Sequence, residues 1–177
     1  VFASVWKWIF AGDGSGILNY FLTQLHIVKA PVSWLTTERG AMTALIITNI
    51  WRGVPFNMLL LATGLTTLPE ELFEAAAIDG ANRIQRFCHI TLPLLKPTIL
   101  SVVTLGFIYT FKAFDLIYIM TNGGPLDSTQ ILATASYKLT FSNFEFGQGA
   151  AVANIMLILL LVVAIFNLKL MEKDEVM

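Results

Sequence analysis

Residues 74–93 read EAAAIDGANRIQRFCHITLP, and this stretch decides what the surrounding chain is. It lies in the most polar part of the middle of the chain, where residues 65–97 carry Glu70, Glu71, Glu74, Asp79, Arg83 and Arg86. Thr67 and Glu70 have capping-box spacing, and Pro69 falls in a first helical turn, where a missing N–H costs nothing. Glu70 and Glu71 then sit near the positive end of the helix dipole. The helix is short and Ala-rich, and Gly80 is a natural stop. A second short helix over 81–90 places Ile84, Phe87 and Cys88 on one face, with Arg83 and Arg86 directed elsewhere. Leu92-Pro93 is expected to end it, and Pro97 is suited to open the helix that follows.

Outward from this loop the chain turns strongly apolar. Of 177 residues, 56% are hydrophobic and 13% charged, and mean hydropathy is +0.72. Soluble globular chains carry about 25% charged residues, so a soluble fold would lack polar surface to cover itself. A membrane helix needs roughly 20 mostly apolar residues. Residues 41–64 qualify, although Arg52 and Pro55 interrupt them. Residues 98–120 qualify with Lys112 and Asp115 in their second half, and 149–170 qualify with Asn154 as the only strongly polar side chain before Asn167 and Lys169 at the end. The apolar residues 1–11 resemble the end of a further span without the features of a signal peptide, which leads us to expect an N-terminal truncation. The expected class is an all-α, polytopic helical membrane protein, with 65–97 as its main polar loop.

The remaining segments fit that frame. Residues 12–40 hold Gly12, Gly14 and Gly16 and then an amphipathic piece, 17–27, of the kind that lies at a membrane surface. Residues 121–146 open with a turn signal, Asn122-Gly123-Gly124-Pro125. With 65–97 on the cytoplasmic side, that side holds Arg83, Arg86, Lys96, Lys169 and Lys173, against Lys29, Arg39 and Lys138 opposite. This bias of five to three places the loop and the tail at 171–177 in the cytoplasm. Net charge of −1 offers no basic patch for nucleic acid. A single cysteine, Cys88, excludes an internal disulfide, and Cys88, His26 and His89 have no metal-ligand spacing, so no metal site is expected.

The full loop pattern is Glu74-Ala75-Ala76, three residues, Gly80, nine residues, Ile90, one residue, Leu92-Pro93. In this it resembles the EAA loop of the ABC importer permeases, the cytoplasmic coupling helix that docks on the nucleotide-binding subunit. Its chemistry suits docking: Ala75, Ala76, Ala77 and Gly80 permit close backbone approach, and Glu74 and Asp79 offer charge for register. Arg83 is placed to pair internally with Asp79 or Glu74 as an alternative. Further pieces resemble the MalF/UgpA-type branch, which carries sugars and related compounds. They are Trp6 with Ile9-Phe10, Gly16-Ile17-Leu18-Asn19, Trp51-Arg52-Gly53-Val54-Pro55-Phe56, Thr121-Asn122-Gly123-Gly124-Pro125 and Phe144-Glu145-Phe146-Gly147.

The resemblance implies a type I importer transmembrane domain in a bacterial inner membrane, a second permease subunit, an ATPase dimer and an extracytoplasmic solute-binding protein. The chain has no Gly-x-x-x-x-Gly-Lys-Ser/Thr phosphate loop. ATP and Mg²⁺ are therefore expected on the partner ATPase, with no cofactor and no enzymatic activity in this chain. The resemblance also places sugar contacts on Asn49, Arg52, Gly53 and Phe56, and in the next span near Gly106 and Thr110, one helical turn apart. Polar side chains within a span are costly and face protein or water. Pro55 leaves a carbonyl one turn earlier without its helical partner, and a broken helix is tolerated where it lines a cavity. Asn49 and Arg52 are expected to hydrogen-bond a hydroxyl-rich solute and Phe56 to stack under a sugar ring. Alternatively, Arg52 pairs with Asp115 or the partner permease and only holds the bundle. Lys112 and Asp115, at i and i+3, are assigned to neutralising each other.

Three rival functions remain. A permease for polyamines, phosphate or amino acids would share the loop. A membrane scaffold would need neither docking loop nor polar groups within spans, and a secondary transporter would work without an ATPase.

Overall fold

The computed structural model describes residues 1–175, with side chains to residue 167 and at Lys169. The side chains of the expected cytoplasmic tail, 171–177, that of Lys173 among them, and residues 176 and 177 altogether lie outside what it describes. The described residues are helical with no strand, and they fall into two compact units.

Residues 1–52 and 109–159 form the first unit. Helices α1 (Phe2–Ile9) and α2 (Ile17–Gln24) are followed by a 3-10 turn at Trp34–Thr36 and the start of α3 (Glu38–Thr66). After α8 (Phe114–Met120) and α9 (Leu132–Tyr137) come a π turn at Lys138–Ser142 and the start of α10 (Phe146–Glu175). The core joins Ala3, Phe10, Ala44, Leu45, Leu116, Ile117 and Met120, with Trp6, Trp34 and Ile131 packed around it. Within it the ring of Phe10 meets Trp6 in a stack and Trp34 edge-on.

Asn19 is the polar keystone of this unit. It is 1% exposed. Its Nδ2 donates to the carbonyls of Ala11 and Val32, and its Oδ1 accepts from Val32 N–H and Trp34 Nε1, all within 2.9–3.1 Å. A buried amide is tolerated because every one of these groups finds a partner. The amphipathic piece expected over 17–27 stops earlier, at Gln24. His26 takes φ +55°, while the Ile27 and His26 N–H groups return to the Leu22 and Thr23 carbonyls, closing a Schellman turn.

Residues 53–108 and 160–175 form the second unit as far as it is described. Here the end of α3 meets α7 (Lys96–Phe111) closely. A Cβ on Gly64 would sit 2.8 Å from Thr98 Cγ2. Between them run α4 (Glu70–Ile78), α5 (Arg83–Arg86), a π turn at Phe87–Thr91 and α6 (Leu92–Leu94).

The capping box expected from Thr67 and Glu70 does not form. Pro69 itself is the N-cap, without a side-chain bond, and Thr67 Oγ1 donates to the Gly64 carbonyl, so it serves the end of α3. The second loop helix does not stop at Leu92-Pro93. Leu92 N–H reaches back to Phe87 O, widening the turn just before the proline and relieving the clash a proline ring makes with the carbonyl four residues earlier. The helical path then bends by 66° between 83–94 and α7, at Leu95.

Helices Glu38–Thr66 and Phe146–Asn167 are long and apolar enough to cross a membrane, and the bent pair 83–94 with 96–111 would make a third if it is one span. The single helix expected over 98–120 is interrupted. Helix α7 ends at Phe111 and α8 starts at Phe114, because Ala113 (φ −74°, ψ 59°) sits at the centre of an inverse γ-turn with Phe114 N–H on Lys112 O at 2.8 Å. No Gly or Pro marks this break, so hydropathy alone runs through it. Tertiary packing makes it: Ala113, Leu116, Ile117 and Met120 are all buried. Conversely, α3 is assigned as one helix through Pro55, where the interruption was expected.

Candidate functional site

Two groups of candidate residues are laid out by these elements. The first is the loop after α3. At the end of α4, Asp79 is the C-cap and Gly80 takes φ +79°, the left-handed conformation that a Cβ disfavours. Gly80 N–H bonds the Ala77 carbonyl and Ala81 N–H bonds the Ala76 carbonyl, which is the paired pattern of a Schellman turn. Two residues on, Asn82 and Gln85 form a reciprocal capping box at the start of α5. The turn is thus built from backbone hydrogen bonds and one amide pair, and neither α4 nor α5 has a buried residue.

Of the residues expected to couple, Glu74, Ala75, Asp79, Gly80, Leu92 and Pro93 are exposed, and Ala76 and Ile90 are half-buried. Around them Ile78 is 88% exposed and Ile84 75%, with Phe87 and Leu72 also uncovered. These are large apolar side chains left uncovered on the most polar loop in the middle of the chain. Among the described residues no ion pair joins Arg83 to Asp79 or Glu74, so the internal pairing offered for Arg83 is absent.

The second group surrounds the break between α7 and α8. Asn49 Nδ2 on α3 donates to Thr110 Oγ1 in the last turn of α7, at 2.9 Å. One turn further along α3, Arg52 Nη1 lies 3.1 Å from Asp115 Oδ1 and 3.5 Å from Oδ2. Thr110 and Asp115 flank Ala113, so α3 bridges the two sides of the break. Asp115 also occupies the first turn of α8, where the helix dipole favours a carboxylate. Lys112 is not its partner: the ammonium lies over the Tyr109 ring, 5.4 Å from the centroid. The i, i+3 pairing of Lys112 with Asp115 is therefore replaced by the Arg52–Asp115 pair, because the γ-turn lies between the two residues and takes them off a common helix face.

The Arg52 and Asp115 side chains are 45% and 61% exposed. They face open space and not the core, and the nearby Trp51 ring leans on Trp6, 6.0 Å between centroids. Gly53, Phe56 and Gly106 belong to the second unit. Phe56 is exposed, Gly53 and Gly106 are half-buried, and Gly106 has open space where a Cβ would project. Among the described residues no group of His, Cys, Asp or Glu is arranged to hold a metal ion.

Sequence reasoning missed two features here. The Asn82-x-x-Gln85 capping signature is present in the sequence, but the spacing of Thr67 and Glu70 drew the assignment instead. The Ala113 break has no local signal at all.

Residues 1–173 match the family of binding-protein-dependent transport system inner membrane components, and the chain belongs to that family. It is 38% identical over 154 residues to the trehalose/maltose transport system permease protein MalF of Thermococcus litoralis, covering 87% of this chain and 51% of that one. It is 34% identical over 174 residues to the diacetylchitobiose uptake system permease protein DasB of Streptomyces coelicolor, covering 97% and 52%. The chain therefore spans about half the length of these curated relatives. The solved structure of a bacterial ABC transporter involved in alginate import contains a chain that superposes with a TM-score of 0.85 at 21% identity, over 98% of this chain and 61% of that one. The fold is that of an ABC importer transmembrane domain, as the EAA-like loop led us to expect.

Proposed function

We propose that the chain is part of a permease subunit of an ATP-driven importer for a sugar or a related polyol or sugar phosphate. It forms half of a translocation pore with a second permease subunit and receives solute from an extracytoplasmic binding protein. ATP and Mg²⁺ are used by a separate ATPase dimer, on which the loop at 65–97 docks from the cytoplasm. The tail lies on the same side of the membrane.

One observation carries this reading: the α4–Gly80–α5 turn is fixed by its own hydrogen bonds while it leaves Ile78 and Ile84 uncovered. A docking lever must be rigid without its partner and apolar where the partner sits. Family membership supports the importer role. The substrates of the Thermococcus and Streptomyces relatives, trehalose/maltose and diacetylchitobiose, support the sugar class. A second solved alginate transporter, in complex with a periplasmic protein bound to alginate pentasaccharide, supports the solute-binding partner.

The experiment is copurification of the full-length subunit from its membrane, combined with uptake by a Glu74→Lys variant. An ATPase subunit is expected to copurify with the wild type, and the charge reversal is expected to abolish uptake. Absence of any ATPase together with unchanged uptake in the variant would refute the importer reading.

A further inference from the structure

We infer that the Arg52–Asp115 pair is a charge filter that selects uncharged polyhydroxy solutes over anionic ones, such as sugar phosphates and sugar acids. The inference rests on the importer reading above and narrows its substrate class. Three observations lead to it.

First, both side chains face open space, at 45% and 61% exposure, beside the interrupted stretch between α7 and α8. Backbone irregularity at membrane depth is tolerated where it is buried in protein or lines a water-filled cavity.

Second, the contact is one-sided. Only Nη1 of Arg52 reaches the carboxylate, and among the described residues Nε and Nη2 make no hydrogen bond. The guanidinium keeps donors and the carboxylate keeps acceptor lone pairs. A hydroxyl both donates and accepts. Adjacent hydroxyls of a sugar can accept from Arg52 and donate to Asp115 while the pair stays closed.

Third, the charges cancel locally. An isolated arginine in such a space would attract phosphate or carboxylate, for which its fork geometry is suited. With Asp115 at 3.1 Å, an anion approaching the remaining donors of Arg52 is repelled by the carboxylate beside them. A neutral solute meets no such repulsion. The Asn49–Thr110 bond one turn away adds amide and hydroxyl groups, which also suit hydroxyls and carry no charge.

The test uses the complete transporter, with the full-length subunit, in lipid nanodiscs without the solute-binding protein, so that the pore's own preference is read. Saturation-transfer NMR, which detects weak binding, compares maltose with maltobionate and trehalose with trehalose 6-phosphate. The wild type is expected to prefer the neutral member of each pair. Asp115→Asn, nearly isosteric, is expected to shift the ratio toward the anion by roughly tenfold, equivalent to about 1.4 kcal/mol. Arg52→Gln is expected to weaken the anion further, and Arg52→Asp combined with Asp115→Arg to restore the neutral preference. An unchanged ratio in Asp115→Asn, or a wild type that prefers the anion, overturns the filter while leaving the sugar importer standing. If neither member of either pair binds, the sugar reading itself falls, and the filter with it.

Discussion

Asn82 and Gln85 cap each other: Gln85 N–H donates to Asn82 Oδ1 at 2.9 Å, and Asn82 N–H donates to Gln85 Oε1 at 2.8 Å. The pair stands immediately after the Gly80 turn and sets the direction in which α5 leaves it. Replacing Asn82 by Ala removes the acceptor at the helix start and is expected to cost about 1 kcal/mol locally. Because α5 has no buried residue, the loss stays local. Amide hydrogen exchange over 83–91 is expected to speed up about fivefold, which is what about 1 kcal/mol of local opening free energy gives. The thermal midpoint of the whole protein is expected to stay unchanged, and a drop in it would show that the loop is coupled to the rest of the fold.

Gly80 gives a sharper test, because strain and steric clash are separable there. A Cβ at this position would meet nothing within 4 Å, yet φ is +79°. Gly80→Ala is therefore expected to cost roughly 1–2 kcal/mol from backbone conformation alone. Gly80→Asn is expected to cost less, since Asn enters the left-handed region more readily. Uptake in membrane vesicles should rank wild type above Gly80→Asn, and that above Gly80→Val. Equal uptake for all three would mean that the Schellman turn does not transmit coupling.

Asn19 belongs to the other unit and tests its folding. Asn19→Leu leaves Ala11 O, Val32 O, Val32 N–H and Trp34 Nε1 without their partner, in a site that excludes water. Each orphaned group costs about 1–3 kcal/mol, so the sum is expected to lower the thermal midpoint of the detergent-solubilised protein markedly. Asn19→Asp is expected to retain part of the stability, since its oxygens still accept from Val32 and Trp34. Equal midpoints for Asn19→Leu and wild type would contradict the role given to Asn19.

How much of this was legible in the sequence depends on whether the signal was local. Gly80 as a stop was readable because a left-handed residue is specified by one position. The Asn122-Gly123-Gly124-Pro125 turn was readable for the same reason, and Asn122 and Gly123 do take positive φ. The break at Ala113 was not readable. It arises from the burial of Ala113, Leu116, Ile117 and Met120 against partners distant in sequence, and alanine is a good helix former on its own. The partner of Asp115 was open for a related reason. Spacing favoured Lys112, whereas Arg52, 63 residues away in sequence, is brought near only by the fold. Pro93 misled in the opposite direction: a π turn accommodates it without ending the helix.

Gly64 sets how closely α3 and α7 approach within the second unit. A Cβ there would lie 2.8 Å from Thr98 Cγ2, 2.9 Å from Thr98 Oγ1 and 3.0 Å from Leu95 Cδ2. All three atoms belong to side chains, so the backbone need not move if they can rotate away. Leu95 is buried and has little freedom to do so. Gly64→Ala is therefore expected to overpack the contact and cost about 1–3 kcal/mol. Thr98→Ala removes two of the three obstructing atoms and is expected to rescue most of that loss. A double-mutant cycle on thermal unfolding measures this directly, since the coupling between contacting residues appears as non-additivity. Strict additivity of Gly64→Ala and Thr98→Ala would mean that the two helices are not held apart by Thr98, and the close approach would then need another explanation.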